Sequence, residues 1–203
     1  MKNKVYSNKE ILIFEGFIKL IDSGANINNI RVSDIAVSAG IGKGTVYEYF
    51  KSKEEIIAKS LLYNMQIEID SIVDDIKNYN TFEEKCFTIF QNLMDGMNKK
   101  FPFFQVLLTS KEFQQIFNCL NDGVQEIIDC RMYILSTMRE VLDLGVKEKI
   151  INVQDDKEYE EAVILSVTMG LSNTNNGACK VMSIEEMDRK KDFAYRMLVK
   201  SLN

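Results

Sequence analysis

With 203 residues, 46% of them hydrophobic and 27% charged, and a net charge of −5, the chain has the balance of a folded globular protein rather than a disordered one. It has no histidine, the commonest general base and metal ligand, and its four cysteines are widely separated without metal-type pairing. No run approaches the roughly 20 apolar residues that cross a bilayer, and the opening MKNKVYSNKEIL lacks the order of a secretory signal, so a cytoplasmic chain with reduced, buried thiols is expected.

The first predicted helix starts at Ser7 or Asn8 and runs to about Ser23, with Ile11, Phe14, Ile18 and Ile21 on one face. Gly24 ends it, because glycine tolerates the left-handed backbone of many helix stops. The asparagine-rich stretch from Ala25 to Ile30 reads as a loop. Two short helices follow, about Val32–Ala39 and Lys43–Phe50, separated by Gly40-Ile41-Gly42. Ser52 and Glu55 form a capping-box pattern that opens a helix of about 25 residues.

Thr81 and Glu84 form a second such pattern, with the helix running to about Lys99. Phe101-Pro102 marks the next start, since proline is tolerated in a first turn, and a short helix to Ser110 is expected. Lys111 to Gly145 is helical in pattern, with an interruption expected near Asn121-Asp122-Gly123. The last two predicted helices are Asp155–Thr174 and Ser183–Leu202. Strand alternation is nowhere sustained, and the single proline, Pro102, leaves long helices unbroken, so the fold class is all-α with nine or ten helices.

The acidic balance argues against nucleic acid until the chain is divided. Residues 1–60 carry nine Lys/Arg against seven Asp/Glu, whereas the remainder carries 16 against 23. A mildly basic head on an acidic body suits a protein that presents one end to phosphate. Within that head, Arg31–Phe50 reads RVSDIAVSAGIGKGTVYEYF. Two helices that cross steeply over a tight turn need small residues where they meet, and Ala36 and Gly40 supply them. Ile35, Ala39, Ile41 and Val46 provide a miniature core, and Phe50 is placed to pack back on the first helix. The second helix then exposes Lys43, Gly44, Thr45, Tyr47, Glu48 and Tyr49.

The stretch AGIGKGTVYEYFKSKEEI closely resembles the TetR family of repressors, named for the tetracycline repressor. The alanine-glycine turn, Thr45-Val46-Tyr47-Glu48-Tyr49-Phe50 and Ser52-Lys53-Glu54 carry that resemblance, over residues 10–60. It implies an N-terminal three-helix helix-turn-helix head, residues 1–52, and a helical ligand-binding and dimerisation body, residues 53–203. It also implies that Tyr47, Tyr49 and Lys53 bind phosphates, fixing register without reading sequence. Lys43 and Thr45 lie at the N-terminal end of the recognition helix, the part that enters the major groove, and Lys43 is the candidate reader of a guanine edge. Gly44 allows close approach. Arg31 stands where the family commonly has a threonine and Gly42 where it commonly has a polar cap. Arg31 can reach phosphate but caps poorly, and Ser33 beside it completes the candidate DNA-binding set.

Such readers usually act as dimers on two half-sites. Ala162, Leu165, Ser166, Met169 and Gly170 form one candidate interface stripe, and Phe193, Met197 and Leu198, with Ala194, the other. By the resemblance the last two helices pair with their copies as a four-helix bundle. The centre, residues 81–135, is rich in Phe and Met, which suit an adaptable apolar pocket. Phe90, Met94, Phe104, Phe113 and Phe117 are the candidate ligand contacts, although the same spacing also serves as plain core. The expected partners are double-stranded operator DNA, a second copy of the chain and a small apolar or amphipathic effector, with no membrane. The expected function is a ligand-released transcriptional repressor acting on a palindromic operator. No Gly-rich phosphate loop or nucleophile elbow points to an enzyme, and no catalytic residue, metal or cofactor is expected. A helical protein-interaction module and an activator stay open as alternatives.

Overall fold

The computed structural model describes residues 6–98, 123–172 and 183–203, and the described chain is helical throughout, with no strand. We number its eight described helices in chain order: α1 Asn8–Asp22, α2 Val32–Ser38, α3 Lys43–Tyr49, α4 Lys53–Ile76, α5 Phe82–Asn98, α6 Gly123–Lys147, α7 Lys157–Ser172 and α8 Ile184–Ser201. The expected helix from Phe101-Pro102 to Ser110 and the stretch leading to Asp122 lie outside the described residues. So do Phe104, Phe113 and Phe117. None of the described helices is long and apolar enough to cross a membrane.

The helices begin where side chains can take up the orphan N–H groups of a first turn. Ser7 Oγ accepts from Glu10 N–H at 3.3 Å while Glu10 Oε2 accepts from Ser7 N–H at 2.8 Å, a complete capping box on α1. Thr81 and Glu84 repeat it on α5, and Ser183 and Glu186 on α8. Asp156 Oδ1 accepts from Glu158 and Tyr159 N–H to open α7. Ser52 caps α4 as expected, accepting from Glu55 N–H at 3.1 Å. The Glu55 carboxylate, however, takes Lys51 N–H at 2.8 Å instead of completing the box on Ser52. Gly24 ends α1 with φ +94°, the left-handed backbone its sequence position suggested.

The described residues fall into two compact units. One comprises those within Met1–Glu68 and Lys99–Met132, the other those within Ile69–Asn98 and Tyr133–Asn203. In the first, α1 packs on α2 and α2 on α3. Ile13, Phe14, Phe17, Ile35, Val46, Phe50, Ile56 and Leu61 are fully buried and make its core. Phe14 is the centre of an aromatic cluster, with ring centroids 5.0 Å from Tyr6, 5.2 Å from Tyr63 and 5.7 Å from Phe50. Burying rings of this size stabilises by about 1.5–3 kcal/mol each, so this cluster holds four successive parts of the chain together.

In the second unit α5 packs on α7 and α8, and α7 on α8. Phe82 is wholly buried against α6, where a Cβ on Gly145 would lie 2.9 Å from its ring, so the glycine is what lets the ring sit there. Glu148 accepts from Phe82 N–H at 3.1 Å and pins the start of α5 to the same place. Arg139 of α6 donates to Glu161 at 2.9 Å and to Glu160 at 3.4 Å, tying α6 to α7. Cys86 is buried here, and burial raises its thiol far above the ordinary value, which keeps it protonated and inert.

Candidate nucleic-acid interface

The helix-turn-helix is built around a close crossing. A Cβ added to Gly16 of α1 would meet Ala39 N at 2.8 Å and Ala39 Cβ at 2.9 Å, so the end of α2 lies directly on the α1 backbone. The sequence singled out Ala36 for the crossing of α2 and α3, where it is buried, but not Gly16 for this contact of α1 with α2. The available signal was a glycine inside a helical apolar pattern, which costs helix stability unless something must come close. Gly40 then turns the chain with φ +68°, and Ile41 N–H donates back to Ala36 O at 3.0 Å. Ile35 and Val46 close the miniature core, whereas Ile41 is only half-buried.

Only Val46 of α3 is buried, so the rest of this seven-residue helix is free to meet something else. Lys43, Gly44 and Glu48 are exposed, Thr45 is half-buried, and Tyr47 and Tyr49 keep 50% and 39% of their surface in solvent. Two phenols left this open are not core aromatics. Lys43 Nζ lies 5.9 Å from the Tyr47 ring centroid, a cation–π contact one helical turn apart that aligns both side chains. Gly42 precedes α3 in extended conformation, φ −71°, and offers no side-chain cap. Nothing lies within 4 Å of a Cβ on Gly44, so the opening there faces outward.

The flanks behave differently from each other. Arg31 supplies no side-chain cap to α2, as its chemistry predicts, but its N–H donates to Asp34 Oδ2 at 2.8 Å, so half a capping box survives. Its side chain is exposed, and Ser33 beside it is half-buried. Lys53, at the start of α4, reaches across to the asparagine-rich loop and donates from Nζ to Asn28 O at 3.0 Å. The first unit thus places Arg31 at the N-cap of α2, Ser33 on α2, Lys43, Gly44, Thr45, Tyr47 and Tyr49 on α3, and Lys53 in the first turn of α4.

Among the body residues singled out from sequence, Phe90 and Met94 are fully buried in the second unit. Met169, Phe193 and Met197 are exposed and Leu165 half-buried. Leu198 and Ala194, expected on the same stripe as Phe193 and Met197, face inward instead: they are buried in the unit's own core. Between α7 and α8 a groove of about 320 Å³ is walled by Val167, Gly170, Leu171, Phe193 and Met197, with Arg189, Lys190 and Arg196 also lining it.

Residues 26–59 match the family model of bacterial regulatory proteins of the TetR family. The fatty acid metabolism regulator protein of Bacillus subtilis is 28% identical over 124 residues, which cover 56% of this chain and 64% of that protein. Solved structures share the fold along nearly the whole chain. FadR from Bacillus subtilis in complex with stearoyl-CoA superposes with a TM-score of 0.67 at 19% identity, covering 95% of this chain and 99% of that one. A TetR transcription regulator from Haloarcula marismortui gives 0.68 at 15% identity, covering 98% and 100%. With its three helices around a glycine turn and further helices beyond them, this chain shares the fold of these regulators, and its residues 26–59 are similar to the DNA-binding segment of the TetR family.

Proposed function

We propose that the chain is a transcriptional repressor that binds a palindromic operator as a homodimer and is released by an amphipathic effector bearing an acyl chain. The observation that carries the DNA-binding part is the bare face of α3. Val46 anchors the helix from one side while Lys43, Gly44, Tyr47 and Tyr49 are exposed and Thr45 is half-buried. Tyr47, Tyr49 and Lys53 hold phosphates, with Arg31 and Ser33 touching the backbone at the start of α2. Lys43 and Thr45 meet base edges, where a lysine pairs best with guanine O6 and N7. The protein acts in the cytoplasm, where the DNA is, and binds without catalysing a reaction.

Selection from a random duplex pool tests this directly, and a two-fold-symmetric site is the expected product. In mobility shifts, Tyr47→Phe weakens binding with an unchanged salt slope, because it removes a neutral hydrogen bond. Lys53→Ala also lowers the slope of log K against log salt by about 0.9, the loss of one phosphate contact. Recovery of no preferred sequence, or binding unaffected by both changes, overturns the assignment.

The effector class is supported by the likeness to the fatty acid metabolism regulator and to the regulator solved with stearoyl-CoA. Phe90 and Met94 lie in the body with the candidate contacts Phe104, Phe113 and Phe117 in the same Phe/Met-rich stretch of sequence. Adding stearoyl-CoA to the operator complex should release the DNA, while coenzyme A alone should not. Release by neither, or equally by both, removes the acyl chain from the account.

A further inference from the structure

We propose that Asn26 is a positioning residue for DNA binding, acting through the loop carbonyl that holds Lys53; the proposal rests on the reading of Lys53 as a phosphate ligand. The chain of contacts is short and each link is polar. Asn26 Oδ1 accepts from Asn28 N–H at 2.9 Å, closing a side-chain turn two residues wide. Asn26 O accepts from Asn29 N–H at 2.9 Å and from Ile30 N–H at 3.2 Å, so the same residue organises the loop from both its side chain and its backbone. Ile30 is buried and anchors the loop's far end. The result is a carbonyl, Asn28 O, aimed at the ammonium of Lys53 across 25 positions of sequence, 3.0 Å away.

A free lysine has many rotamers, and ordering one on binding costs affinity. An ammonium has three donors, and a single fixed carbonyl uses one of them. Held this way, Lys53 keeps two N–H groups for a phosphate while its long stem is already confined. Asn28 O is a neutral acceptor, so it orients the charge without neutralising it, as a carboxylate would. Asn26 itself is exposed and makes no part of the core, so its conformation-setting role is separable from folding.

The experiment is a double-mutant cycle on the full chain, read as operator affinity across a salt series. Asn26→Ala should weaken binding about twofold to tenfold, the range for losing one ordered side chain, with the salt slope unchanged. Asn26→Ser should recover most of that loss, since a hydroxyl can accept the same N–H. In a Lys53→Ala background, Asn26→Ala should have no further effect. Thermal unfolding of each variant separates loss of fold from loss of positioning. Additive effects of the two substitutions, or full affinity in Asn26→Ala, overturn the relay while leaving Lys53 as a phosphate ligand. An unchanged salt slope in Lys53→Ala alone overturns the phosphate reading and the relay with it.

Discussion

Two residues of the first unit show how single atoms decide its stability. Gly16 is one, because its missing Cβ is where the backbone of Ala39 lies. Gly16→Ala gains helix propensity worth about 1 kcal/mol. It also drives a methyl to within 3 Å of Ala39 N and Cβ, and backbone at a helix end cannot swing aside as a flexible side chain can. Overpacking of this kind costs about 1–3 kcal/mol, so the net change is a loss of stability. Denaturant titration should show a lower midpoint for Gly16→Ala, and a raised midpoint would mean that the crossing relaxes freely. Glu55 is the other. Burial pushes its carboxyl pKa up, but Lys51 N–H and the Lys59 ammonium, 2.9 Å away, outweigh burial and hold it below the ordinary value. A lowered folded value means that the contribution is complete above the ordinary range near 4.5 and is lost as pH falls through the lowered value. Replacing the residue by glutamine should therefore lower stability at neutral pH and flatten the acid limb of the stability curve. An acid limb identical in Glu55→Gln and the wild type would rule this out.

At the scale of elements, α3 is a poor helix made useful. It has a glycine at its N-cap and another inside it, and it buries one residue. Gly44→Ala should stabilise the head by about 1 kcal/mol, since nothing surrounds the added methyl and glycine is costly inside a helix. The same methyl stands on the face proposed to meet DNA, so operator affinity should fall as the melting temperature rises. Both changing in one direction would mean that Gly44 does not approach DNA. Gly42→Ser is the contrasting case: its φ is ordinary, Thr45 Oγ1 lies 3.8 Å from the added Cβ, and a hydroxyl there should cap α3 for a few tenths of a kcal/mol. Most of these elements were legible in the sequence because their ends carry their own chemistry. Ser52, Thr81 and Ser183 announce helix starts, and Gly24 announces a stop. What lay hidden was any feature set by a distant partner. Gly16 is explained only by Ala39, and the reach of Lys53 only by the shape of the loop at Asn28. In α8 the sequence offers two adjacent apolar stripes, Phe193 with Met197 and Ala194 with Leu198, each with a spacing of four. Periodicity makes both look alike, and only packing shows that the second pair is the inward one.

For the whole molecule, that division of α8 bears on where the proposed second copy would bind. Ala194 and Leu198 are spent on the unit's own core, and Phe193, 59% exposed, and Met197 are left over. On α7, Val163, Ile164, Val167 and Leu171 face inward, while Ala162, Ser166, Met169 and Gly170 are exposed and Leu165 is half-buried. A Cβ on Gly170 would meet nothing within 4 Å, which leaves room for a helix to come close. Isolated exposed apolar residues need no explanation, but an exposed phenylalanine and methionine lining one groove between the same two helices form a patch of the kind that pairs with itself. A charge placed at its centre should therefore be far more damaging to assembly than to folding. Phe193→Glu is expected to leave helix content and the unfolding midpoint nearly unchanged, because the side chain is not part of the core. Light scattering should then report a monomer at micromolar concentration where a dimer is expected for the wild type. Operator binding should weaken together with the dimer, since each head alone contacts one half-site, and the two losses should follow the same dependence on protein concentration. A dimer that survives Phe193→Glu would place the interface elsewhere, and a wild-type chain that is already monomeric would remove the two-fold operator from the account.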